Sequence, residues 1–193
     1  MRKILSLVFL LTVFFVNAES LKFMGIPIEG KVEDFESKLK SKGFEYVTEW
    51  TTEDSSVVRS FAGNYLDLPG VVCVEYEPES KNVVSVIVQS ESVPEDKLDT
   101  TWLYYQTHIL SKLKEVPYDY NIESEGIVVQ LTIFNKAGQE VGNIFIAPLP
   151  DEKQEDMYKV VTGYFTYPEF LEATPEEAVS LDEIEVIEVT ATD

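Results

Sequence analysis

The feature that most constrains the fold of this chain is an alternating apolar pattern that occurs twice. One copy is segment 71–94, VVCVEYEPESKNVVSVIVQSESVP, and the other is segment 143–168, NIFIAPLPDEKQEDMYKVVTGYFTYP. Each has two runs rich in β-branched and aromatic residues around a polar, turn-forming connection, which is the pattern of a β-hairpin. Each segment therefore predicts a pair of adjacent antiparallel strands.

The two segments can be aligned residue by residue. Pro78 matches Pro150, and after a two-residue insertion Pro94 matches Pro168. A repeated unit is the first thing to test for, because it decides the whole architecture. Two interpretations stay open: a duplicated unit that ends at Pro94 and again at Pro168, or a chance agreement between two alternating β patterns.

A helix pattern precedes each set of strands. Val32, Phe35 and Leu39 are spaced three and four apart, which predicts an amphipathic helix over residues 31–42. Gly43 follows as a left-handed helix cap, with Phe44 expected to fold back onto Leu39. A second, longer helix is predicted from the apolar stripe formed by Leu98, Trp102, Tyr105, Ile109 and Leu113.

Eight strands are predicted, four after each helix: residues 44–50, 57–62, 71–76 and 83–89, then 118–123, 127–134, 140–147 and 157–167. The predicted fold is α+β, a tandem duplication of a helix-plus-four-stranded antiparallel sheet unit with the helices packed on one face of the sheet. The two units are expected to span residues 19–93 and 94–167. An acidic carboxy-terminal segment, residues 168–193, follows them.

The first residues are typical of a signal peptide, predicted for residues 1–18. Arg2 and Lys3 precede an apolar run that is too short for an ordinary membrane-spanning helix, and small or short residues end at Ala18. An uncleaved anchor is the alternative. No cysteine lies at the expected cleavage site, so a lipoprotein is not indicated. The expected location is periplasmic or secreted, with no membrane insertion after cleavage.

The charge of the chain excludes some partners. The sequence carries 15 basic and 35 acidic residues, for a formal net charge of -20. Nucleic-acid binding requires clustered Lys and Arg to neutralise phosphates, so nucleic acid is not expected as a partner. An anionic membrane surface is disfavoured for the same reason. The expected partner is another exported protein.

Few residues are suited to catalysis. Cys73 and His108 are each the single residue of their type, so no disulfide can form within the chain and no structural zinc site of His and Cys can be assembled. Cys73 is expected to be a small buried apolar residue, and His108 a half-exposed residue of the second helix. No phosphate-binding glycine loop is present. No cofactor, no metal and no catalytic residue is therefore predicted.

Two uses of carboxylates remain open. Glu75 and Glu77 lie on one face of a predicted strand, and Asp119 and Glu123 lie near another; paired carboxylates of this kind catalyse glycoside hydrolysis. The loop at residues 151–156 has enough side-chain oxygens for weak calcium binding but lacks the spacing of an EF-hand. A solvated hairpin loop is the favoured interpretation.

The outward face of the predicted sheet is the best candidate for binding. In segment 127–134, the odd-numbered residues, among them Ile127 and Leu131, are expected to face the helices. The even-numbered residues are expected to face outward and mix polar with aromatic groups. A half-exposed antiparallel sheet face of this composition suits protein recognition. The candidate partner-binding residues are Glu75, Gln89, Gln130, Phe134 and Phe145.

The chain resembles the secreted proteins of Bacteroidetes with a β-lactamase-inhibitor-protein-like fold, also described as PepSY-like. The resemblance lies in residues 25–30 (GIPIEG), followed by Phe35, Leu39 and the tripeptide at residues 42–44 (KGF), and in the order of the predicted elements. It implies a sheet-face binding site. The β-lactamase inhibitor protein that gives this fold its name also carries disulfides, which this chain cannot form.

Together these observations predict an exported, non-enzymatic protein-binding or inhibitor-like domain of unknown target that uses the outward sheet face. The alternatives are a carboxylate-dependent glycan hydrolase and a structural component of the cell envelope.

Signal-peptide cleavage is directly testable. We expect the mature protein to begin at Glu19, because signal peptidase cleaves after a small residue such as Ala18. Intact-mass measurement and amino-terminal sequencing of the exported protein check this. A mature chain that still contains Arg2 would contradict it.

Overall fold

The computed structural model describes residues 20–116 and 118–166. Two helices are present in this part of the chain: α1 (Val32–Ser41) and α2 (Glu95–Leu113). The first strands are β1 (Lys22–Phe23), β2 (Ile26–Pro27), β3 (Glu45–Thr51), β4 (Val57–Tyr65), β5 (Leu68–Tyr76) and β6 (Val83–Ser90). The remaining strands are β7 (Val93–Pro94), β8 (Asp119–Glu125), β9 (Val128–Phe134), β10 (Glu140–Pro150) and β11 (Met157–Thr166). The predicted signal peptide and the acidic segment 168–193 lie outside the described residues.

One nine-stranded antiparallel sheet forms the body of the molecule. Its strand order is β3-β4-β5-β6-β11-β10-β9-β8, and the short strand β7 pairs with β11. Strands β1 and β2 form a separate two-stranded hairpin. The centre of the large sheet is the pairing of β6 with β11, in which Ser85 lies opposite Phe165 and Gln89 opposite Val161.

The predicted tandem repeat of a helix-plus-four-stranded unit, with helices packed on one sheet face, is wrong. The described chain is mostly one large antiparallel β-sheet, with 52% strand against 20% helix and only two helices. The physical reason is the pairing of β6 with β11, whose backbone hydrogen bonds continue the sheet across the position where one unit was expected to end. Alternation within a strand specifies which residues share a face, but it does not specify the neighbouring strand.

The end of α1 follows from the local sequence. Gly43 has a φ of 90°, which is a left-handed conformation that glycine adopts without steric cost. The backbone N–H of Phe44 donates to the carbonyl of Leu39 at 3.2 Å, and that of Gly43 donates to Lys40 at 3.0 Å. These are the two hydrogen bonds of a Schellman motif. The predicted cap is therefore confirmed.

A single apolar cluster joins the helices, the small hairpin and the sheet. It includes Phe35 and Leu39 from α1, Ile109 from α2, and Val72 and Leu131 from strands β5 and β9. All five side chains are at most 2% exposed. Full burial of each such side chain stabilises the fold by roughly 1.5–3 kcal/mol. Ile127, predicted to face this cluster, is instead 60% exposed, because it lies in the turn between β8 and β9 rather than in the strand.

Tyrosines lie at the centre of this cluster. The hydroxyls of Tyr65 in β4 and Tyr164 in β11 are hydrogen-bonded to each other, and the ring of Phe23 stacks on Tyr65 with its centroid 5.4 Å away. Tyr105 of α2 packs against Tyr65, and its hydroxyl is buried without a hydrogen-bond partner among the described residues. Burial raises the pKa of Tyr164 and of Tyr105 to about 12, and that of Tyr65 well above its ordinary value.

A second, smaller apolar cluster lies on the opposite face of the sheet. We call it the outer patch: Ile87, Val128, Phe145, Ala147, Leu149, Val161 and Phe165. These residues come from β6, β9, β10 and β11, and neither described helix contributes to them. At its centre the ring of Phe145 lies over Gly163, its cross-strand partner, and stacks on Phe165. A Cβ at Gly163 would lie 2.0 Å from Phe145 Cε1.

The buried tyrosines predict a loss of stability in alkali. Because their pKa is raised in the folded state, the unfolded chain releases these protons first, near pH 10. Stability is then fully present below about pH 10 and falls as the pH rises toward about 12, by up to about 1.4 kcal/mol per pH unit for each tyrosine. Urea unfolding across this range, with tyrosinate absorbance recorded in parallel, measures the effect. Ionisation of all the tyrosines near pH 10 in a protein that stays folded would contradict it.

The contact between Gly163 and Phe145 predicts coupled mutations. Gly163→Ala should destabilise the fold by about 1–3 kcal/mol, because the new methyl group overlaps the Phe145 ring. In a Phe145→Ala background the same substitution should cost less than about 1 kcal/mol. Urea unfolding of the two single variants and the double variant measures this coupling. Leu149→Ala is the control background; equal costs in all backgrounds would show that the overlap is relieved elsewhere.

Candidate functional site

The sheet register places three of the predicted binding residues in or beside the outer patch. Gln130 of β9 lies directly opposite Phe145 of β10, and Gln89 of β6 lies directly opposite Val161 of β11. Both glutamines are half-buried, so their amides lie at the surface beside apolar side chains. Phe145 itself is only 9% exposed. Phe145 therefore contributes to the packing of the patch and adds little to its exposed surface.

The other two predicted residues lie at the margins of the same face. Glu75 of β5 accepts a hydrogen bond from the Ser85 hydroxyl at 2.7 Å, and Ser85 is opposite Phe165 of the patch. Phe134 lies at the end of β9, opposite Asp119 of β8, and is half-buried. All five predicted residues thus share the face turned away from the helices.

Sequence reasoning missed several apolar residues of this face. Ile87, Leu149 and Phe165 are half-buried and lie on the outward side of their strands. Their signal was present in the near-continuous apolar runs of β10 and β11, because a strand that is apolar at consecutive positions has two apolar faces. Alternation by itself assigns a single apolar face to each strand.

Acidic side chains flank the outer patch. Glu123 of β8 lies opposite Gln130, and Glu75 lies on the other side of the patch in β5. Both lie on the outward face by register. The outward face therefore combines an apolar centre with carboxylates at two margins, which is the arrangement of a protein-binding surface with an apolar core and a polar rim.

An open groove adjoins this face. It has a volume of about 840 Å³ and lies between the start of β3, the β4–β5 hairpin, residues 89–92 and the β10–β11 connection. Gln89 lines it and so belongs both to the groove and to the margin of the outer patch. The charged residues among the described residues that line the groove are Glu45, Glu91 and Lys159. We call it the polar groove.

Two glycines allow the chain to approach closely beside the polar groove. Gly63 and Gly70 are cross-strand partners in the β4–β5 hairpin. A Cβ at Gly63 would lie 2.5 Å from the Phe44 ring, and one at Gly70 would lie 2.6 Å from the carbonyl oxygen of Gln89. Any side chain at either position would therefore displace the groove wall.

The two residues with the best nucleophilic or acid–base chemistry are held in structural roles. Cys73 is 3% exposed, and burial raises the pKa of its thiol to about 12, so it is buried as predicted and unreactive. His108 donates from Nδ1 to the Tyr104 carbonyl at 2.8 Å and stacks on the Tyr104 ring. Neither contact resembles a nucleophile–base pair.

A charged cluster connects α1 to the edge of the sheet. Arg59 of β4 donates to Glu36 of α1 at 2.9 Å and to Glu49 of β3 at 2.5 Å. Tyr76 also donates to Glu49 at 2.9 Å. The hydrogen bond from Arg59 is the main cause that lowers the pKa of Glu49. Each charge is matched by a partner within the protein, so the cluster fastens the helix to the sheet.

The loop at residues 151–156 was considered above for calcium binding. Its first carboxylate, that of Asp151, already has partners within the protein. Asp151, 7% exposed, accepts hydrogen bonds from Ser92, from the Lys153 backbone and from Gln154, and it pairs with Lys159 at 3.4 Å. The hydrogen bond from Ser92 is the main cause that lowers its pKa. Within residues 20–116 and 118–166, no group of three or more His, Cys, Asp or Glu side chains is arranged to hold a metal ion.

Comparison with known proteins adds no assignment. Neither helix of the described chain combines the length and apolar character needed to cross a membrane. No protein-family model, no curated protein and no solved structure matches the chain.

Proposed function

We propose that this protein is an exported, non-enzymatic protein-binding domain, inhibitor-like in its mode of binding, and that its outward sheet face contacts another exported protein. The outer patch carries the proposal. Seven apolar residues from four strands adjoin one another on the face turned away from the helices. Phe145, Ala147 and Val161 are buried and the other four are half-buried, and a partly exposed apolar cluster bordered by polar groups is typical of interaction sites.

The chemistry of the face supports a particular kind of partner. Glu75 and Glu123 flank the patch, and the whole chain carries a formal charge of -20. A partner with an apolar centre and a basic rim is complementary to this arrangement, because opposite potentials accelerate association and exclude acidic competitors. Gln89 and Gln130 would hydrogen-bond the partner beside the apolar contact. The amides provide specificity, and the apolar centre provides most of the affinity.

The test uses a photo-crosslinking amino acid at two matched leucines. Leu149 lies in the outer patch, and Leu103 is an exposed leucine of α2, at 56% exposure, outside it. With the exported protein in its own cells, we expect a specific crosslink to one other exported protein from position 149 and none from position 103. Crosslinks from both positions, from neither, or only to a second copy of this chain would overturn the proposal.

The affinity for the purified crosslinked partner then identifies the contact residues. Leu149→Glu should lower it by about tenfold, since loss of a contact in the apolar centre of an interface costs more than about 1 kcal/mol, and Phe134→Ala at the margin should lower it by about two- to threefold. Leu103→Glu adds the same charge away from the patch and should change affinity less than about twofold. Calorimetric titration measures the affinities, and urea midpoints confirm that each variant is folded. Equal losses for Leu149→Glu and Leu103→Glu would contradict a sheet-face site.

A further inference from the structure

We infer that the polar groove is a subsite for a Lys or Arg side chain, presented on an extended segment of the protein that binds the outward face. The inference rests on the proposed function, because it assigns part of the same partner to a second, adjoining position. Gln89 connects the two: it lines the groove and lies opposite Val161 of the outer patch. A segment that crosses the patch would reach the groove without leaving the surface.

The size of the groove suits such a side chain with its flanking backbone. Its volume of about 840 Å³ lies within the usual range of ligand pockets, roughly 300–1,000 Å³. It is bounded by four separate segments of the fold, among which the close approach at Gly63 and Gly70 fixes the β4–β5 wall. The groove is therefore a formed feature of the fold.

Its charges favour a cation. Lys159 is paired with Asp151, whose side chain is 3% exposed, so this lysine is already neutralised within the protein. Glu45 and Glu91 are exposed, and neither has an ion pair with another described residue. A cation entering the groove would meet two unneutralised carboxylates, whereas an anion would be repelled by them and by the net charge of the chain.

The neutral lining supports a peptide over a sugar. Asn64, Gln89 and Gln154 provide side-chain amides that can donate to and accept from an extended backbone. Aromatic side chains, which provide flat apolar contact for a sugar ring, are absent from the described residues that line the groove. The geometry therefore points to a basic peptide segment.

The test uses short labelled peptides that alternate Thr with Arg, with Gln or with Glu, and the full mature protein at about 0.15 M salt. We expect saturable binding of the Arg peptide by fluorescence anisotropy, and no binding of the Glu peptide. The double variant Glu45→Gln/Glu91→Gln should weaken the Arg peptide roughly three- to tenfold, the range for two partly exposed charge pairs. NMR should show shifts of the side-chain amides of Asn64 and Gln89 on binding.

The matched control removes the same charge on the helix side of the sheet. Glu29→Gln/Glu33→Gln, two exposed residues just before and within α1, should leave the Arg peptide affinity within about twofold of the wild-type value. Equal weakening by both double variants would mean attraction to overall charge and would overturn the subsite, as would unsaturable binding or NMR shifts confined to residues outside the groove.

The two proposals fail separately. If Leu149→Glu weakens the crosslinked partner but the Arg peptide does not bind the groove, the sheet-face function stands and the subsite is wrong. If the Arg peptide binds and Glu45→Gln/Glu91→Gln weakens it, while Leu149→Glu leaves the partner unaffected, the groove binds a basic segment and the sheet-face function is wrong.

Discussion

The rest of the structure depends on the antiparallel pairing of β6 with β11. Five residues of each strand, from Ser85 to Gln89 and from Val161 to Phe165, hold the two sides of the sheet together. The same pairing places Ile87 and Gln89 beside Val161 and Phe165, so it also assembles the outer patch from strands far apart in sequence. The tyrosine core depends on it as well, because the bonded hydroxyls of Tyr65 and Tyr164 come from opposite sides of this pairing. The fold, the tyrosine core and the candidate surface therefore all depend on the backbone hydrogen bonds between β6 and β11.

Local structure could be predicted from sequence, and the assembly of the sheet could not. The spacing of Val32, Phe35 and Leu39 located α1 to within a residue at each end, and Gly43 ended it as expected. Those features are decided by neighbours a few residues apart. Most neighbouring strands in the sheet are consecutive in sequence, but the pairing of β6 with β11 joins residues more than sixty apart, such as Gln89 with Val161, and no period in the sequence encodes it. Separate repeated units were wrongly expected because the sequence does not reveal the pairing of β6 with β11.

The candidate site, like the fold, could be predicted from sequence only in part. Alternation in β9 assigned Gln130 and Phe134 to the outward face, and the register agrees. It misplaced Ile127, since Gly126 at a φ of 59° begins a turn there and the strand starts one residue later. The polar groove was beyond sequence reasoning, because four distant segments form it. The need for glycine at positions 63 and 70 is evident only from the structure, where the Phe44 ring lies against Gly63 and the Gln89 carbonyl lies against Gly70.

The buried Cys73 has a consequence for how the folding of this protein can be followed. As the one thiol of the chain, it has no partner for disulfide exchange, so oxidation cannot trap a mispaired intermediate within a single molecule. It lies on β5 between Ser60 and Ile87 in the sheet and is 3% exposed, so a reagent reaches it only when the packing around these strands opens. Its rate of chemical labelling in the native protein therefore reports the opening of this sheet without any engineered probe.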